Sequence, residues 1–322
     1  MKYIICLLLV TSFALSEEYE LGNGYKINDK LHVGGYISTE YSSGTSLDTF
    51  SIDDAAFLLY GAFMPKMTYF AEFEFNSIYV HDFNTKMSHI LRDARAELFY
   101  LDYAFSDTYK MRVGKQTTPV GYWNYEPINV LRDTTSNPLY SFQAFPKTFT
   151  GIDMYGFVNE SNRVTYHLFM QLTKDLKKER AYVKSNYFYG LNIAYEIREN
   201  LSIGASMARY KNKDNKQIVN MFQGNAKYLY HQFEMQTEVA YNDISNLGRH
   251  DIYTYVQGKY SMNEYHAFIA RYEYVDTYAN VQKIALIGYS YRPIPGMSFK
   301  AEYQKCFPFD DAKILLSLSI LF

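Results

Sequence analysis

The sequence has two cysteines, one tryptophan, and no apolar run long enough to cross a bilayer as a helix, which needs about 20 residues. Cys6 lies in the leader-like start "MKYIICLLLVTSFALS", so Cys306 is the single thiol of the remainder. One thiol excludes an intramolecular disulfide framework. The start itself has a basic residue at Lys2, a short apolar stretch and Ala14-Leu15-Ser16 as a small-x-small site. That is the pattern of a cleavable export signal over residues 1–16, and no lipoprotein-like small-residue box precedes Cys6. A dominant charge is missing too: 32 Lys and Arg stand against 34 Asp and Glu, a net charge of -2. This balance excludes a nucleic-acid binder driven by bulk charge. No Ser/Gly/Pro-rich linker or charge block divides the rest, so residues 17–322 read as one domain.

Motifs for chemistry are absent as well. There is no HExxH, GxSxG, P-loop or complete GxGxxG; "GASMA" at Gly204 and "LGNG" at Gly22 both fail. The seven histidines show no close metal spacing, so neither metal nor other cofactor is expected. His167 is the one residue on which a barrel-wall hydrolase, such as an outer-membrane phospholipase, would have to be built.

What the chain does have is aromatic residues, 34 Tyr and 23 Phe, in an alternating pattern. In "KMTYFAEFEFN", Met67, Tyr69, Ala71, Phe73 and Phe75 share one face, and Glu72, Glu74 and Asn76 lie on the other. "RVTYHLFMQL" sets Tyr166, Leu168, Met170 and Leu172 against Arg163, Thr165, His167 and Gln171. "NYFYGLNIAYEI" and "QFEMQTEVAY" repeat the pattern, with the small residues Gly190, Gly204 and Ala240 rather than bulky core formers on the polar faces. A period of two over about ten residues is that of a tilted transmembrane strand, apolar outside and polar inside. The aromatic ends of the apolar faces suit the interfacial level of a membrane.

Short connections ("MPK", "SDT", "NESN", "REN", "YH", "MNE", "RPIPG") alternate with long ones ("HDFNTKMSHIL", "TKDLKKERAYVKS", "YKNKDNKQ", "NDISNLGRH"). This predicts an all-β transmembrane antiparallel barrel of about 16 strands, with short periplasmic turns and long extracellular loops. The last strand, "DDAKILLSLSILF", puts Ile314, Leu316, Leu318, Ile320 and Phe322 on its lipid face. A terminal aromatic there suits recognition by the barrel-insertion machinery. One connection is far longer than the rest. Residues 117–147 hold Trp123, Pro127, Pro138 and Pro146, and their aromatic content argues for order. A barrel of this size leaves an aqueous bore, so the segment is expected to fold inward as a constriction loop.

The charged candidates for a selectivity wall follow from the alternation. Lys110 and Arg112 enter the loop, Arg95 and Glu97 precede them, Glu72 and Glu74 lie one strand earlier, and Arg271 pairs with Glu273. The loop adds Glu126, Arg132, Asp133 and Lys147. Opposed walls of charge set up a field across the bore that favours small hydrophilic solutes. Asp102 breaks the pattern, sharing its face with Leu98 and Tyr100, which requires a bulge or a place at the periplasmic headgroups. Lys174, Lys177, Lys178 and Lys184 in the external loops could draw anions toward the mouth, a weak anion preference, or bridge lipopolysaccharide.

Two stretches carry a family resemblance. "LFYLDYAFSDTYKMRVGKQTTPVGYWN" resembles the strand-turn-strand that leads into the constriction loop of phosphate-selective porin O/P-like proteins. "IGYSYRPIPGMSFKAEYQK" resembles their penultimate hairpin. The resemblance implies a sixteen-stranded, trimeric outer-membrane porin. Phosphate-specific members line the bore with arginine ladders and a lysine cluster on the inward loop. Here that loop has only Arg132 and Lys147 as cations, with Glu126 and Asp133 beside them, which argues for a general or differently selective channel. The alternatives are a barrel enzyme and a transporter of hydrophobic substrates plugged by "EEYELGNGYKINDK".

Overall fold

The computed structural model describes residues 19–20, 24–45, 48–90, 93–126, 128–158, 163–174, 182–308 and 311–322. The expected signal at 1–16 and the loop residues Lys177 and Lys178 lie outside them.

Sixteen strands make the wall: β1 (Leu31–Gly44), β2 (Asp48–Met64), β3 (Met67–Asp82), β4 (Asp93–Ala104), β5 (Tyr109–Thr117), β6 (Thr148–Phe157), β7 (Val164–Gln171), β8 (Ser185–Arg198), β9 (Leu201–Asn212), β10 (Ile218–Tyr230), β11 (Phe233–Ile244), β12 (Arg249–Ser261), β13 (His266–Asp276), β14 (Val281–Ile294), β15 (Met297–Phe307) and β16 (Asp311–Leu321). Each pairs antiparallel with the one before it, and β16 pairs with β1 through Leu316↔Tyr41 and Ile320↔Ile37. The ring closes and leaves no unpaired sheet edge, which is the condition for strands to sit in hydrocarbon. Phe322 extends the seam: its N–H donates to Gly35 O at 2.8 Å, and Gly35 N–H donates back to Phe322 O at 2.6 Å. Glycine is needed here, because a Cβ at position 35 would lie 2.5 Å from Ala56 O and 2.9 Å from the Phe322 ring.

Alternation decides which side chains face out. Phe73, Leu168, Met170, Tyr189, Leu191, Ile193, Met207, Phe222, Met235, Val239, Ile314 and Leu316 are all exposed on the outer face. Their neighbours in sequence are buried inside. The N-terminal segment pairs Gly24–Asn28 with the start of β1 (Tyr25↔Val33) and adds the short strand Tyr19–Glu20. Among the described residues, these short strands therefore lie against the wall as a hairpin extension. A third short strand, Met87–Ile90, folds back on the end of β3.

Two of the bulges decide which charged side chains face the lumen. In β4, Glu97 is the extra residue opposite the Glu72–Phe73 step, so Glu97 and Leu98 are both buried. Beyond it, Tyr100 and Asp102 point inward while Phe99, Leu101 and Tyr103 face out, which resolves the awkward position of Asp102. In β2, the register slips between Ile52 and Asp54, and Asp53 and Asp54 both line the lumen.

The inner face also corrects the expectation of a wall without bulky core formers. Phe149, Phe169, Phe188, Tyr210, Met221, Tyr253 and Tyr255 point inward and are buried. They do so because part of the bore is filled by protein instead of water. The small residues fit between them: a Cβ at Gly190 would meet the Phe169 ring at 2.6 Å.

Candidate functional site

The connection from β5 to β6 enters the barrel. Its neck is clipped where Thr118 N–H donates to Lys147 O at 2.8 Å. The Asn124 amide reinforces this by donating to Thr118 O at 2.6 Å and Lys147 O at 3.0 Å. Inside, a 3-10 turn at Trp123–Tyr125 and one helical turn at Tyr140–Gln143 carry the apolar side chains that seat the loop. Val120, Trp123, Tyr140, Ala144 and Phe145 pack with Phe149, Phe169, Phe188, Met221 and Tyr255 of the wall. A second cluster joins loop residues Ile128 and Val130 to Tyr36, Leu58 and Leu321. The loop thus touches apolar inner faces on both sides of the seam and crosses the lumen.

Buried charges on the far wall bind its backbone. Glu238 on β11 accepts Trp123 N–H at 2.8 Å and Tyr255 O–H at 2.5 Å. Gly121 lies against the same carboxylate with φ +71°, and a Cβ there would fall 1.7 Å from Glu238 Oε2. Glu273 on β13 accepts Leu139 N–H at 2.8 Å. Glu302 on β15 accepts from Thr135 N–H and from the Ser136 hydroxyl at 2.7 Å. Cations take the carbonyls: Arg292 reaches Val130, Leu131 and Arg132, and Lys300 reaches Asn129. Buried backbone groups that cannot reach water need such partners. Sequence reasoning missed this set. Its only signal was charge on polar strand faces 115 to 171 residues from the loop groups it holds.

Open polar space remains in a cavity of about 590 Å³ between β1–β4, β15–β16 and the loop. Glu40, Asp53, Asp54, Glu74 and Asp93 give it an acidic wall. Arg132 and Lys147 from the loop, with Lys313 from β16, supply the facing cations. Arg95 sits within the acidic wall, 2.8 Å from Glu74 and 2.7 Å from Glu97. Lys147 lies over the Tyr182 ring at 4.8 Å. Burial pulls the Arg132 guanidinium below its ordinary pKa, opposed by the carboxylate of Asp54.

The candidates named from sequence fall into four groups. Glu72, Glu74, Arg95 and Glu97 cluster on the acidic wall, with Glu72 tied to the Tyr36 hydroxyl at 2.6 Å. Arg132 and Lys147 line the same cavity. Lys110 and Arg112 lie toward the short-turn end. There Arg112 forms a fork with both Asp102 oxygens at 2.8 Å and lies 3.8 Å over the Tyr100 ring. Asp133 pairs with Lys259 at 2.9 Å, and Glu126, earlier in the loop, is exposed. Arg271 does not belong with these. Its side chain has 0% exposure and binds Glu273, Thr134 and Ser136, so it is a clamp on the loop and not a pore-lining charge. His167 donates or accepts at Asp153 (2.8 Å) and Tyr125 (3.2 Å); among the described residues no serine hydroxyl is bonded to it.

No protein-family model matches the chain. It is similar to an uncharacterized protein of Aquifex aeolicus, 24% identical over 87% of this chain and 76% of the relative. Among solved structures, a loop L8 deletion mutant of the Vibrio cholerae outer membrane protein OmpT superposes with TM-score 0.67 and 14% identity, covering 91% of this chain and 99% of that one. Salmonella typhi OmpF gives TM-score 0.67 at 12% identity over 91% and 98%, and an anion-selective porin from Comamonas acidovorans gives 0.63 at 9% over 91% and 99%. At such identities the likeness establishes architecture, and the chain has the closed sixteen-stranded antiparallel barrel fold of outer-membrane porins.

Proposed function

We propose that the protein is an outer-membrane porin through which small hydrophilic solutes and ions diffuse passively, with no cofactor and no chemical step. The observation that carries this reading is the polar cavity left between the acidic wall and the loop cations Arg132 and Lys147. A hydrophobic substrate would find carboxylates and ammonium groups there instead of an apolar binding surface. In this orientation the short turns face the periplasm and the long loops face outward. Sequence resemblance supports assembly as a homotrimer.

Selectivity by sign is weak on this reading. External lysines such as Lys174 and Lys184 attract anions toward the mouth, while Glu40, Asp53 and Asp54 repel them at the narrow zone. The opposed walls instead orient polar solutes. Arginine ladders of the phosphate-specific kind are not formed by the described lining residues, where Arg95 is held by carboxylates.

Planar-bilayer recording of the purified protein tests the reading. Stable ohmic conductance appearing in groups of three equal steps is expected. A membrane that stays silent while the barrel is folded and inserted overturns it.

A further inference from the structure

We infer that the outer face of β6–β10, at its long-loop end, is a binding site for a phosphorylated, multiply acylated glycolipid of the outer leaflet. Arg209 and Lys211 carry the inference. Both lie on the outward face of β9, in step with Met207 two residues below. Arg209 sits in register with Tyr189 and Asn220, and Lys211 with Tyr187 and Ile218. Neither side chain makes a hydrogen bond or ion pair among the described residues. The described acids close by are already engaged. Asp243 accepts from the Asn220 amide at 3.0 Å and from the Ser245 hydroxyl at 3.2 Å, and Asp214 pairs with Lys184 at 3.3 Å.

Directly below the two cations lies a hollow of about 640 Å³ walled by Leu168, Met170, Leu191, Met207 and Phe222. It extends over five strands, from Ile152 and Met154 on β6 to Phe222 on β10, which at about 4.8 Å per strand makes it wider than one acyl chain. Methionine side chains on its floor adapt to an irregular hydrocarbon surface. An unpaired guanidinium at the edge of hydrocarbon is costly unless an anion meets it. A lipid phosphate does so with charge-assisted hydrogen bonds while its chains fill the hollow beneath. Two other outer hollows are as large: about 740 Å³ around Gly258 and Ala270, toward the short-turn end, and about 760 Å³ around Tyr41, Phe50 and Leu318; the lysine at the edge of each, Lys259 and Lys300, is turned inward, to Asp133 and Asn129. Charge therefore distinguishes this hollow from the other two, and it lies at the outer-leaflet level. The inference rests on the orientation of the barrel in the outer membrane and not on conduction.

The test is equilibrium binding of hexa-acylated lipid A bisphosphate to the full chain in detergent. Dephosphorylated lipid A and phosphatidylglycerol serve as competitors. The wild type is expected to prefer the bisphosphate, and R209Q/K211Q to lose at least about tenfold in affinity, the scale of two charged hydrogen bonds partly replaced by solvent. Unchanged channel conductance in the double variant shows that the barrel is intact. If the double variant does not insert, R209Q and K211Q separately are expected to lose about threefold each. Equal binding by the variants, or equal binding of dephosphorylated lipid A or phosphatidylglycerol, overturns the site. Lipid preference without conductance would instead sink the pore reading and leave this one standing.

Discussion

Replacing Glu238 by alanine should loosen the inward loop at its first anchor without opening the barrel. The carboxylate accepts two buried donors at short range, Trp123 N–H at 2.8 Å and Tyr255 O–H at 2.5 Å, and a longer contact from the Gln236 amide at 3.4 Å. Each buried donor left without an acceptor costs about 1–3 kcal/mol, so the two together cost about 2–6 kcal/mol. Removing the charge also removes its desolvation cost, and a water entering the vacated space can serve one donor. Both effects draw the net toward the lower figure, about 2 kcal/mol, which is roughly a thirtyfold rise in the open population of that segment. The wall ladder does not pass through this side chain, so strand pairing persists. Hydrogen exchange at the Trp123 amide should accelerate by that factor, and single-channel current should become noisier as the segment samples the bore. Exchange and noise both equal to wild type would show that the aromatic cluster alone seats the loop.

Three further outcomes follow from the same geometry. G121A pushes a Cβ toward Glu238 Oε2 from a backbone at φ +71°, and should destabilise the loop by at least about 1–2 kcal/mol; combined with E238A the loss should be less than additive, as read by exchange at Trp123. R132Q/K147Q leaves the acidic wall unopposed, and in a tenfold KCl gradient should shift the reversal potential toward cations by on the order of 10 mV, out of roughly 59 mV for complete selectivity; D53N/D54N should shift it the other way. L316R places a cation at the middle of the lipid face of β16 and should cost about 2–4 kcal/mol in reversible folding into vesicles, and an unchanged folding midpoint would contradict the assigned outer face.

The wall was legible because its determinants are local. A strand with one face in hydrocarbon must alternate, and Phe73/Glu74 or Leu168/Phe169 report their faces regardless of what lies across the barrel. Bulges were less visible, since one extra residue leaves composition unchanged. Asp102 betrayed the bulge at Glu97 only by falling on the wrong side of the pattern, and Asp53-Asp54 gave no such sign. The loop's long-range anchors were not legible at all. Glu302 reads as an ordinary lumen carboxylate, and only folding brings Thr135 and Ser136 to it. A usable clue did exist. Phe169, Phe188, Tyr253 and Tyr255 occupy faces that should meet water, and so many rings on a polar face imply a protein surface packed against them.

Bonding partners separate two roles that charge alone confuses. Arg271 and Arg132 are both buried arginines in the lumen, yet Arg271 spends its donors on Glu273, Thr134 and Ser136, a wall carboxylate and the loop. Removing it leaves a buried carboxylate and loop groups unpaired, which costs stability and barely alters the field in the open cavity. Arg132 borders that cavity opposite Asp53 and Asp54, so its loss alters the field first. The two substitutions should therefore exchange phenotypes: R271Q lowers the stability of the loop with the reversal potential nearly fixed, and R132Q moves the reversal potential. Were R271Q to shift ion preference as much as R132Q, the clamp and the lining could not be distinct sets of residues.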